Sequence, residues 1–177
     1  ADPGRGSPCP HGVEHPYRQD HAEDLTKEAP MSEDSPHGDV ETVTLEQLRA
    51  AVNMRAAAYG HMFDVLSERF GAEAAVELLG EATRRLGNDM GAHFTGHGPA
   101  DTTGLCDAFL RGIPGRDALF APEVIERSDA RMEVQFHRCP LKDFWVADGR
   151  SDEEVEQLCR AAGRIDGGLF ERAGFVF

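Results

Sequence analysis

Basic side chains are scarce in this chain. Lysine and arginine together number 18 against 32 aspartates and glutamates, a formal net charge of −14, so a phosphate backbone or an anionic membrane surface would be repelled rather than gathered in. Nucleic acid and membrane are therefore not expected as partners. Long apolar runs are missing too. None approaches the roughly 20 residues that span a bilayer, and the amino-terminal stretch lacks the basic-then-apolar order of a secretory leader. Cysteine is sparse and unclustered: Cys9, Cys106, Cys139 and Cys159 form no C-x-x-C pair, which fits neither a zinc ribbon nor a small disulfide scaffold. The thiols are read as reduced and the chain as cytoplasmic, with no cofactor and no metal expected.

What is present is one domain's worth of chain, 177 residues and 19.3 kDa, enough to bury a core. Ala1 to Val43 is rich in proline, glycine, serine, histidine and acidic side chains and has no apolar periodicity. Such a segment cannot bury enough surface to offset the entropy of ordering it. Cys9, His11, His15 and His21 fall within it, and biased composition makes them parts of a disordered or incidental tail before they make a metal site. Met31, followed by Ser-Glu-Asp-Ser, reads as a translation start, which would make Ala1 to Pro30 an upstream extension.

Order is expected from Thr44, where Thr-Leu-Glu-Gln sets a hydroxyl to cap a helix and Gln47 to answer it. Leu45, Leu48, Val52, Tyr59, Phe63, Leu66 and Phe70 then recur at three- and four-residue steps, the mark of a long amphipathic helix. Gly71 closes it. A second helix runs from Ala72 to about Ala92, with Ala75, Leu79, Ala82, Leu86 and Met90 as its inward stripe, and packs antiparallel to the first. Continued, that stripe reaches His93 and His97, which would stack as an i, i+4 metal pair on an unbroken helix. Gly91, Gly96, Gly98 and Pro99 argue for fraying instead, leaving His93 as a pocket-lining candidate and His97 in a loop. A third helix spans roughly Ala100 to Arg111, with Cys106 as a small core filler beside Leu105, Ala108 and Phe109.

After Gly112-Ile113-Pro114-Gly115 the period changes to two. Val124 to Arg127 and Arg131 to Cys139 read as a β-hairpin, with Met132, Val134 and Phe136 on one face and Glu133, Gln135, His137 and Cys139 on the other. Pro140 ends the second strand because it has no amide hydrogen to give a ladder. Leu141 to Val146 is a short amphipathic turn or helix anchored by Phe144 and Trp145. Ser151-Asp152-Glu153-Glu154 is a second capping box, with acidic side chains where the positive end of a helix favours them. The helix it opens carries Val155, Leu158, Cys159, Ala162, Ile165, Asp166 and Leu169 along one side. Asp166 is the anomaly: a carboxylate in an apolar stripe needs a partner or becomes costly to keep charged. Seven residues separate it from Cys159, two turns along one face.

A thiol at a strand end, a carboxylate and a nearby imidazole are the parts of a nucleophilic or acid–base site. From the residues alone, Cys139 serves equally as a structural thiol or as a member of such a site. Cys159 reads as core before it reads as catalytic.

The ordered set Arg138-Cys139-Pro140-Leu141, Phe144-Trp145, Ser151-Asp152-Glu153-Glu154-Val155-Glu156-Gln157-Leu158-Cys159, Ile165-Asp166 and Gly168-Leu169-Phe170 resembles the L-2-amino-thiazoline-4-carboxylic acid hydrolase family. The likeness extends over roughly Leu45 to Gly174, with the specific part in its last third. It implies an α+β fold, N-terminal helices packed on a small antiparallel β-sheet, with a C-terminal helix carrying site residues, so that residues 44–177 form a single hydrolase-like domain. It implies a hydrolase of a small cyclic amidine-type C–N bond, opening an aminothiazoline carboxylate to N-carbamoyl-L-cysteine. Within that resemblance Cys139 is the candidate nucleophile or proton-transfer group, Asp166 binds the amidinium or acts as base, and Cys159 lines the pocket. His93 and His137 are added as bases from their position in this chain, and Arg138 or Arg84 is added to hold the substrate carboxylate. The family pattern continues with a further strand bearing another cysteine, where this chain reads Phe175-Val176-Phe177. The sheet is then completed by fewer strands or by a partner chain, which allows a homodimer, or the chain is shortened. The alternative function is a non-catalytic small-molecule-binding sensor domain on the same fold.

Overall fold

The computed structural model describes residues 42–177. The expected tail, with Cys9, His11, His15 and His21, lies outside them apart from its last two residues. The described residues form an α+β fold in the order α1 (Leu45–Phe70), α2 (Ala72–Gly91), a 3-10 turn (Ala92–Phe94), α3 (Thr102–Gly112), α4 (Arg116–Leu119), β1 (Pro122–Arg127), β2 (Met132–Phe136), α5 (Pro140–Ala147) and α6 (Asp152–Arg172). None of these helices is long and apolar enough to cross a membrane.

Local chemistry sets the helix ends. The Thr44 hydroxyl accepts from the Gln47 amide at 3.1 Å and the Gln47 side chain accepts from the Thr44 amide at 2.8 Å, so α1 starts on a complete capping box. Ser151 and Glu154 repeat that arrangement at the start of α6. Gly71 adopts φ 87°, a conformation that suits a residue without Cβ, and divides α1 from α2 in a single residue.

The central packing is between α2 and α6, elements far apart in sequence. Glu73 pairs with Arg160 at 3.4 Å, Glu77 with Arg164 at 2.9 Å and Arg84 with Glu171 at 2.8 Å, each pair 87 residues apart. Contacts that advance together along both helices mean that α2 and α6 run parallel. The backbones touch because glycine lies between them. A Cβ on Gly87 would strike the Ile165 carbonyl, one on Gly91 the Leu169 carbonyl, and one on Gly168 the Arg84 carbonyl. Thr83, buried in this seam, donates to the Ala161 carbonyl at 2.6 Å. The expected stripe of α2 is corrected accordingly. Ala75 and Leu79 are buried as read, but Ala82, Leu86 and Met90 are exposed, and the inward face is completed by Gly80, Thr83, Gly87 and Gly91.

Two apolar clusters result. The larger joins α1, α2, α5 and α6 around Trp145, which is 1% exposed and donates its indole N–H to the Ala56 carbonyl at 2.9 Å. The smaller gathers Leu105, Leu169 and Phe170 with Phe94, Phe109, Met132 and Phe175. Arg150, with its side chain only 10% exposed, grips Asp64 of α1 through two hydrogen bonds of 2.7 and 2.8 Å.

The hairpin pairs Pro122 with Phe136 and Val124 with Val134, then slips by one residue at Ile125 before Glu126 meets Glu133. A two-stranded ribbon is marginal alone, and α3 packs against it. β2 ends at Phe136, three residues earlier than the alternation predicts. His137 and Arg138 still donate to the Ala121 and Phe120 carbonyls at 3.2 and 3.1 Å, but Cys139 turns out of the ribbon to stand at the N-cap of α5, with Pro140 as its first residue. Phe175–Phe177 is not a strand. Phe177 stacks on Phe170 with centroids 5.5 Å apart.

Candidate functional site

A cavity of about 340 Å³ opens between the two apolar clusters, walled by residues from α1, α2, α3, β2, α5 and α6. Each polar group reaches it by a different route. Cys139 enters from the N-cap of α5, where the positive end of the helix favours negative charge. Arg138 precedes it in the chain. Cys159 and Asp166 come from α6, two turns apart, about 10 Å of rise, and Arg55 comes from α1.

Burial pushes the Asp166 carboxyl above its ordinary value of 3.8, and burial is the whole cause. Among the described residues no arginine, backbone amide or thiol offsets it. The Cys159 thiol is also pushed up, first by burial and then by the proximity of Cys139, which makes it a reluctant nucleophile. The two thiols share one electrostatic neighbourhood, and Asp166 lines the same cavity.

Of the residues read from the sequence, Cys139, Asp166, Cys159 and Arg138 line this cavity. The histidines do not. His93 sits exposed on the 3-10 turn, because the helix breaks just before it. His137 is turned to the surface and meets Glu123 at 2.7 Å across the ribbon. Neither is positioned as the base expected of it. Arg84 is engaged with Glu171 at 2.8 Å and lies off the cavity. His97 is bound to Asp101 at 2.7 Å rather than stacked on His93. Among the described residues, no group of three or more His, Cys, Asp or Glu stands close enough to hold a metal ion.

One functional candidate escaped the sequence reading. Arg55 lies three residues after Val52 and four before Tyr59, on the border of the apolar stripe of α1. That spacing was the available signal: a guanidinium on the edge of a core-facing stripe reaches into whatever the stripe encloses.

A second, larger cavity of about 750 Å³ adjoins the first and shares Phe109, Phe136 and Asp166 with it. Asp166 thus stands in the wall common to both.

Fold and cavity define a mainly helical α+β domain that encloses thiols and a carboxyl in an apolar pocket, a layout suited to a small molecule. The family model described as L-2-amino-thiazoline-4-carboxylic acid hydrolase matches residues 52–177, and the chain belongs to that family. No curated protein and no solved structure matches the chain.

Proposed function

We propose that this protein hydrolyses a small cyclic amidine, opening a ring such as L-2-amino-thiazoline-4-carboxylate to N-carbamoyl-L-cysteine. The observation that carries the reading is the convergence of Cys139, Cys159, Asp166 and Arg138 on one cavity. A sensor domain would have both cysteines facing away from its ligand, and here both line the pocket.

In this mechanism the Cys139 thiolate adds to the amidine carbon, between ring nitrogen and ring sulfur. The ring C–S bond breaks, the departing sulfur takes a proton, and the amidine carbon remains bonded to Sγ. Water then attacks that carbon and expels Cys139, leaving the carbamoyl group, so one water is consumed overall. No histidine of the described residues lines the cavity, so Asp166 handles the proton. Burial raises this carboxyl in the empty pocket, and a bound amidinium opposite it would favour the ionised form. Cys159 packs against the ring, and Arg138 holds the substrate carboxylate. Both thiols must be reduced, which suits a cytoplasmic setting.

The test is to incubate the protein with L-2-amino-thiazoline-4-carboxylate, with and without added divalent metal, and follow N-carbamoyl-L-cysteine. Cys139→Ser and Asp166→Asn should each lose about 10²-fold or more in kcat. Absence of turnover by the wild type in both conditions overturns the substrate, and undiminished turnover in both variants overturns the site.

A further inference from the structure

Resting on that reading of the site, we propose that the substrate is larger than the parent ring: a cyclic amidine carboxylate bearing an aromatic or bulky apolar substituent, its carboxylate held by Arg55 together with Arg138. Three observations point the same way. A volume of about 340 Å³ falls in the roughly 300–1,000 Å³ range of sites that enclose drug-sized ligands, well beyond one five-membered ring. Five rings, Phe94, Phe109, Phe120, Phe136 and Trp145, line the cavity beside aliphatic side chains such as Ile113, Leu141 and Leu169. Phe136 meets Phe109 edge-on at 6.4 Å and Phe120 at 6.1 Å, an arrangement that presents ring faces and edges to a further aromatic group. A small polar ring alone would leave that wall against water.

The third observation is charge. The chain carries 32 acidic residues against 18 basic ones, and half of the described arginines, among them Arg84, Arg127, Arg131, Arg150 and Arg164, hold a carboxylate. Arg55 and Arg138, the two arginines on the cavity, have no carboxylate partner among the described residues. Arg138 makes one long hydrogen bond, 3.5 Å, to the Ala118 carbonyl. Two guanidinium groups without a carboxylate, on the cavity that also holds the thiols and Asp166, provide for an anionic group brought by the ligand. Arg55 is a positioning residue in this assignment, since it anchors the substrate away from the reacting carbon.

The experiment compares three compounds: L-2-amino-thiazoline-4-carboxylate, its 5-phenyl derivative, and the 5-phenyl derivative lacking the carboxylate. Turnover and calorimetric binding are both read. The phenyl carboxylate should exceed the parent in kcat/KM by about tenfold or more, with Phe109→Ala and the milder Phe94→Leu each narrowing that preference. Arg55→Gln, an exposed position, should raise KM for the phenyl carboxylate by about tenfold with kcat little changed, and leave binding of the decarboxylated compound unaltered. Parent turnover equal to or better than that of the phenyl compound overturns this inference and leaves the hydrolase reading standing. If neither is turned over, the hydrolase reading fails. Tighter binding of the phenyl carboxylate, weakened by Arg55→Gln, would then still bear the inference out, and equal or absent binding would overturn it.

Discussion

Asp166 sits on α6 with no ion-pair partner among the described residues, and burial holds its carboxyl above the ordinary 3.8. Linkage gives the consequence for stability. Below the unfolded value both states are protonated and there is no penalty. As pH rises from the unfolded to the folded value the penalty on the folded state grows, and above the folded value it is constant. Asp166→Asn removes the ionisable group in nearly the same shape. The variant should therefore melt a few degrees higher than the wild type near pH 7.5, and the advantage should shrink as pH approaches 3.5, read by thermal unfolding at the two pH values. Gained stability with lost turnover is the pattern of a functional carboxyl. A merely structural one, hydrogen-bonded in place, would lose stability on the same change.

At the scale of elements, the pairing of α2 with α6 rests on small residues. Gly87 and Gly91 admit the backbone of α6, and Gly168 admits that of α2, so the stripe joining Cys159 to Asp166 is held at a fixed depth beside the cavity. Gly87→Ala sets a methyl against the Ile165 carbonyl, and backbone cannot step aside as a flexible side chain does. It should cost about 1–3 kcal/mol in urea unfolding and depress turnover by displacing α6. Gly163→Ala, at a helical position with nothing within 4 Å of the added Cβ, should stabilise by roughly 0.5–1 kcal/mol. Equal effects at the two positions would show that the seam is not close-packed. Apolar periodicity could not reveal this seam, because glycine contributes nothing to a hydrophobic stripe while making the closest contact in the fold.

For the molecule as a whole, acid stability is set mainly by carboxylates that arginines hold low. Asp64 is the best placed of them. Hydrogen bonds from Arg150 lower it against the opposing effect of burial, and the pair ties α1 to the loop between α5 and α6. Its contribution is fully present above the unfolded value and is lost as pH falls through the folded one, the opposite sense to Asp166. Asp64→Asn takes the hydrogen-bonded anion from a guanidinium only 10% exposed and leaves it Asp148 alone, at 3.7 Å. Fully buried pairs lose roughly 3–5 kcal/mol when broken, and the partial exposure of Asp64 reduces the expected cost to about 2 kcal/mol at pH 7. The gap between variant and wild type should narrow towards pH 3. A gap independent of pH would mean that packing of the Arg150 stem, rather than its charge, holds the loop.

The sequence by itself determined what depends on neighbours along the chain. Both capping boxes, the break at Gly71, the change of period at the hairpin and the oddity of a carboxylate at Asp166 are matters of spacing over a few residues, where backbone hydrogen bonding and side-chain direction are decided locally. Tertiary structure alone decided which faces meet. The parallel seam of α2 and α6 joins residues 78 and 87 positions apart, Cys139 turns out of the ribbon where α5 begins and docks on α1 and α6, and Arg138 lines the cavity while Glu171 has taken Arg84. The histidines misled for the same reason. His93 and His137 carry the right chemistry at suggestive spacing, but an imidazole enters a site only if the backbone that bears it faces inward, and here both face water.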